Sequence, residues 1–213
     1  MGEAGTATGK TQVMADQPGA ERRALLAADR ALAQQLRARA PEAGAELYDR
    51  FAPSLYRFVL ARLLGEVESS EEIVLETLAL AARDIARFDP RRASLLTWLL
   101  GIARRRVNLE LRRRRRRKSV PAWAQQSLET APEAEGAPDV ASAVAGKVEA
   151  QRQVAVLAAA LSELEMDVLA LCYVEDLSVR EVGHIIGRSE RAVHSILHRA
   201  RTKARERLTH DDE

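Results

Sequence analysis

One cysteine, Cys172, stands in 213 residues, so an internal disulfide is excluded. Its place in an apolar run marks it as a small buried hydrophobe rather than a redox sensor. Aromatic residues are scarce, at 4%. No apolar run reaches the roughly 18 residues expected of a membrane span, and the N-terminus lacks the apolar core of a secretion signal. A cytoplasmic protein is the expectation. There is no glycine-rich phosphate loop and no nucleophile–base signature, so catalysis has no support and no cofactor is expected. His194 and His198 are spaced four apart, as two metal ligands on one helix would be. No third or fourth ligand is evident beyond His184 or Cys172, so no metal is assigned.

What the chain does have is alanine, leucine and arginine, all strong helix formers, and 46% hydrophobic residues. Neither a strand pattern nor an internal repeat is present. The expected fold is all-α, with two small helical domains joined by a flexible linker. The net charge of +2 hides segregation: residues 42–118 carry +6, 119–150 carry −4, and 188–207 carry +5. Two basic surfaces separated by an acidic stretch suit two contacts with a polyanion.

Residues 1–41 read as an extension, disordered over 1–20 and amphipathic over 21–40 through Leu25, Leu26, Leu32 and Leu36. It is expected to clamp the domains, bind a regulator or do nothing. The first domain, 42–118, has Leu47, Phe51, Leu55, Phe58, Val59 and Leu63 at helical spacing. Gly65 ends that helix. Ser69 and Glu72 are expected to form a capping box for the next, which runs towards Phe88. A turn at Asp89-Pro90 precedes a third helix, which starts near Ser94 and carries Trp98, Leu99, Ile102 and Val107 into Arg112–Lys118.

The stretch 119–150, with Pro121, Pro132 and Pro138, is the linker. Trp123 within it is either a docking residue or an incidental aromatic. The second domain spans 151–208 and precedes the acidic tail 209–213. Capping boxes at Ser162/Glu165 and Ser178/Glu181 open two helices, Gly187 stops the second of these, and Ser189 caps the last.

Ser178–Arg201 therefore reads as helix, turn, helix. Glu190, Arg191, His194, Ser195, His198 and Arg201 lie mostly off the apolar stripe, where side chains can meet bases and phosphates in a major groove. The same pattern also fits an ordinary helical hairpin with a solvated face. The run Arg104-Arg105-Arg106 and Arg112–Lys118 suits phosphate contacts, though on its own such a run serves RNA or acidic lipid equally well.

Two blocks decide between these options by resemblance. The stretch "ALSELEMDVLALCYVEDLSVREVGHIIGRSERAVHSILHRARTKARERL" resembles region 4 of the extracytoplasmic-function (ECF) sigma factors. The matching pieces are Leu161–Leu164, Tyr173–Ser178 and Ser195–Arg201. Region 4 alone also resembles LuxR-type helix-turn-helix domains. Upstream, "ELYDRFAPSLYRFVLARLLG" and "SSEEIVLETLALAARDIARFDPRRASLLTWLLGIARRRVNLELRRRRRR" resemble region 2, through Ser69–Glu72, Val74–Leu78, Phe88–Pro90, Trp98–Leu99 and Ile102–Arg104. The order region 2, linker, region 4 is that of the family.

The resemblance implies core RNA polymerase, promoter DNA and an anti-sigma factor as partners. It implies that Arg188, Ser189, Glu190, Arg191, His194, Ser195, His198, Arg199 and Arg201 read the −35 element. It implies that Asp89, Arg91, Arg92, Ser94, Trp98, Arg104, Arg105, Asn108 and Arg112 serve the −10 region, with the 89–94 loop capturing a flipped base. It also implies that Glu71, Glu72, Leu75 and Glu76 dock on the polymerase; the plainer account of these acids is charge matching at a helix start. Trp98 reads as a core residue ahead of a DNA wedge.

The chain departs from the family at several positions. Leu75, Leu78 and Ala82 replace the usual Gln, Phe and Trp, and Leu75 with Leu80 is expected to expose an apolar patch. Arg191, Ala192, His194 and Ile196 replace Gly, Thr, Lys and Arg. Ser69 and Ser70 replace acids and invite phosphorylation, with capping as the simpler role. The competing functions are a sigma-like regulator that does not support initiation and a plain helix-turn-helix repressor.

Overall fold

The computed structural model describes residues 17–119 and 156–210. The linker with Trp123, residues 1–16 and residues 211–213 lie outside them. All regular structure among the described residues is helical: α1 Gln17–Arg37, α2 Ala43–Arg62, α3 Val67–Arg83, α4 Leu95–Ser119, α5 Glu163–Leu169, α6 Val179–Ile186 and α7 Glu190–His210. A 3-10 turn at Ile85–Arg87 follows α3, and a π turn at Ala170–Val174 follows α5.

Helices α2, α3 and α4 pack on one another because each has one apolar stripe to bury. Phe58 and Val59 of α2, Val74 of α3, and Leu95, Leu99 and Val107 of α4 are almost completely buried. Helix α1 is not a loose extension. It begins inside the stretch expected to be disordered and puts Leu32, Ala33 and Leu36 into the same core. Burying a leucine is worth about 1.5–3 kcal/mol, which is enough to fix α1 on the bundle.

The expected capping box at Ser69/Glu72 is not formed. Helix α3 starts earlier, with Glu66 as its N-cap residue and no side-chain cap bond. Ser69 and Ser70 therefore sit in the first turn, where the Ser70 hydroxyl donates to the Glu66 carbonyl. The second half does use its caps. Ser162/Glu165 and Ser178/Glu181 form complete reciprocal boxes. Gly187 ends α6 at φ +68, the left-handed conformation that suits glycine, and Ser189 accepts the Ala192 amide at 3.3 Å.

The two halves also touch. The π turn lies on α2, and α6 lies on α4. Val168, Leu171, Val182 and Val193 join the apolar cluster of the first half.

Candidate nucleic-acid and polymerase interfaces

Helices α6 and α7 meet at a close turn. The Gly183 carbonyl accepts the amides of Gly187 and Arg188, the latter at 2.9 Å. A Cβ on Gly183 would lie 2.7 Å from the Arg188 carbonyl oxygen. Only glycine fits there, so Gly183 sets the angle of the second helix. Val193, Ile196, Leu197 and Ala200 bury one face of α7.

Arg188, Ser189, Glu190, Arg191, His194, Ser195, His198, Arg199 and Arg201 are all exposed. Three of these side chains have partners within the chain. Ser189 caps α7, the Ser195 hydroxyl donates to the Arg191 carbonyl at 3.1 Å, and Arg201 sits over the Tyr173 ring, 5.3 Å from its centroid.

The 89–94 loop leads into α4. Asp89 accepts the Arg91 amide at 2.9 Å, and Ser94 accepts the Thr97 amide at 3.1 Å. Both side chains thus shape the loop, while Arg91 and Arg92 are exposed. Trp98 is half-buried and packs against Phe88 with the rings tilted by 45° and centroids 5.6 Å apart. Arg105 is exposed; desolvation first, and the like charges of Arg104 and Arg87 second, hold its pKa below the ordinary arginine value. Crowded like charge of this kind is relieved by an anion. Arg112 is exposed.

Arg104 and Asn108, expected at DNA, hold a residue of the second half instead. Asp167 of α5, fully buried, accepts from Arg104 Nε at 2.6 Å and Arg62 Nε at 2.7 Å. Asn108 Nδ2 is 3.5 Å from the same carboxylate. Arg57 makes a two-pronged contact with Glu175 at 3.1–3.2 Å, and Arg115 pairs with Glu163 at 2.7 Å. Arg57, Arg62, Arg104 and Arg115 of the first half are thus paired with acids of the second.

On α3, Glu71 and Glu72 are exposed, and so is Leu75, at 56%. Glu76 is partly buried and paired with Arg106, so it belongs to the α3–α4 contact. Leu80 is not part of an exposed patch; it packs against the core. Arg114 ties α4 to Glu66 and Ser69 of α3.

Sequence reasoning missed Gly183, Arg62, Asp167 and Asp29. Three of these carry a visible signal, a charge on an apolar stripe. Asp29 falls in line with Leu25, Leu32 and Leu36, Arg62 with Leu55, Phe58 and Val59, and Asp167 beside Val168 and Leu171.

Two family models match the chain: Sigma-70 region 2 over residues 47–117 and Sigma-70 region 4 over 157–206. The ECF RNA polymerase sigma factor BldN of Streptomyces coelicolor is 30% identical over 174 residues, covering 79% of this chain and 62% of BldN. The fold is similar to that of CnrH in complex with the cytosolic domain of CnrY, with a TM-score of 0.61 at 23% identity, covering 86% of this chain and 99% of that one. It is also similar to that of the sigma factor RpoE of Bartonella quintana in complex with the anti-sigma factor NepR, with a TM-score of 0.56 at 20% identity, covering 79% and 98%. With both regions matched in order and together spanning more than half of the chain, the chain belongs to the sigma-70 family.

Proposed function

We propose that the protein is a dissociable specificity subunit, which binds core RNA polymerase in the cytoplasm and directs promoter recognition, opening and initiation. The observation that carries this is the pairing, in one chain, of a helix-turn-helix whose second helix exposes Arg188–His198 with a loop, 89–94, that opens a cationic helix. In this reading residues 42–118 are the −10 and polymerase-binding unit, and 151–208 the −35 unit. The segment 119–150 joins them and 209–213 is an acidic tail. Glu71, Glu72 and Leu75 contact the polymerase. Arg91, Arg92, Arg105 and Arg112 hold the −10 strand.

In the described arrangement the 89–94 loop and the start of α7 line one cleft. The −35 and −10 elements lie about 25 base pairs apart, or roughly 85 Å at 3.4 Å per pair. The two readers must separate to reach both, and Arg104 and Asn108 must leave Asp167. An anti-sigma partner is carried over from RpoE, which was captured with one.

The test is co-elution with core polymerase together with a transcript that needs this protein. Co-elution without any transcript would favour the second reading, a sigma-like regulator that occupies polymerase or DNA but does not initiate. The aliphatic Leu75 on the docking helix is the feature that keeps that reading in play.

A further inference from the structure

The 89–94 loop is held at both ends by one helix, α1. At its far end Asp29, 1% exposed, accepts the Leu95 amide at 2.7 Å. The other oxygen of the same carboxylate takes Arg50 at 2.5 Å. At the near end Arg37 donates to the Phe88 carbonyl at 2.9 Å and reaches the Ile85 carbonyl at 3.4 Å. Asp29 and Arg37 are eight positions apart, about 12 Å of helix at 1.5 Å per residue. Helix α1 is itself fixed in the core by Leu32, Ala33 and Leu36.

Helix α4 already has its own cap in Ser94. Asp29 supplies a second, buried acceptor to the first amide of that helix, from a residue 66 positions away. A buried carboxylate persists only when it is paired and hydrogen-bonded, and here both oxygens are used. What it fixes is the junction between loop and helix.

We propose that Asp29 and Arg37 are positioning residues for base capture: they pin the two ends of the 89–94 loop so that it meets an extruded base already shaped. A loop that must order itself on binding loses affinity to the entropy of ordering. This inference rests on the reading of 89–94 as the −10 loop. It assigns to α1 a role in strand opening rather than in linking the domains or binding a regulator.

The experiment uses full-length protein bound to core polymerase, with Asp29→Asn and Arg37→Met. Arg37 is exposed, so its variant tests the idea even if Asp29→Asn fails to fold. Three readouts are compared: co-elution with core, binding of a labelled single-stranded oligonucleotide carrying the non-template −10 sequence of a promoter that the parent opens, and transcription from that promoter as closed duplex and as a pre-melted bubble. The expected result is unchanged core binding, a roughly tenfold loss of oligonucleotide affinity and of duplex transcription, and a smaller loss on the bubble. Oligonucleotide affinity and duplex transcription within twofold of the parent for Arg37→Met would overturn it. So would losses shared equally by core binding, which mark a general folding defect. A parent chain that opens no promoter removes the −10 reading itself, whereas an active parent with unaffected variants removes only the role of α1.

Discussion

Arg62 of α2 and Asp167 of α5 form a buried ion pair across the two halves of the chain, Nε to Oδ1 at 2.7 Å, with side chains 3% and 0% exposed. Arg104 takes the other oxygen of the same carboxylate. One acid of the second half thus pairs with two arginines of the first, at the point where the −10 reading places DNA.

Removing that acid strands the buried Arg62 and the part-buried Arg104, and breaking a buried pair on one side costs about 3–5 kcal/mol. Asp167→Ala is therefore expected to open the two halves. Small-angle scattering should show a larger radius of gyration for the variant, with helical content by circular dichroism retained. An unchanged radius would mean that the apolar contacts and the remaining pairs, Arg57–Glu175 and Arg115–Glu163, suffice to hold the halves together.

Gly183→Ala would drive a methyl group into the Arg188 carbonyl. The backbone cannot yield cheaply there, and overpacking costs typically 1–3 kcal/mol. The variant should melt at lower temperature and lose −35 binding, while a substitution at Gly44, whose Cβ meets nothing within 4 Å, should leave both intact.

Arg191 is exposed at the start of α7. If it meets a phosphate, Arg191→Ala should weaken DNA binding for all sequences and flatten the log affinity versus log salt plot by about 1. Loss of discrimination at one base pair, with the salt slope kept, would instead assign it to base reading.

Glu165 titrates below the usual glutamate range: desolvation opposes this, but the Ser162 backbone and hydroxyl hydrogen bonds and the Lys203 ammonium, 2.9 Å away, together outweigh it. A lowered folded pKa adds stability above the unfolded value, near 4.3, which is lost as pH falls through the folded one. Glu165→Gln should flatten the acid side of the melting-temperature profile. A profile identical to the parent would place the acid sensitivity elsewhere.

Helix α7 was legible in the sequence because its signals are local: Ser189 caps it, Gly187 precedes it, and Val193, Ile196, Leu197 and Ala200 repeat at helical spacing. The start of α3 was not, because Ser69 and Glu72 match a capping pattern while the chain re-enters the helix sooner, at Val67. The exposed face of α7 follows from the same periodicity. The burial of Arg104 and Asn108 against Asp167 does not, since it joins residues about 60 positions apart. Helix α1 showed its amphipathic stripe, but Asp29 on that stripe has meaning only once Leu95 and Arg50 are seen beside it.

The most direct test of the central claim is transcription by core polymerase on sheared genomic DNA from the bacterium that encodes the protein, with and without it, and with the 5′ ends of all transcripts mapped. The account predicts discrete starts that need the protein, each preceded by the same pair of short elements at fixed spacing. The contradicting result is a protein that co-elutes with core polymerase yet adds no start above core enzyme alone.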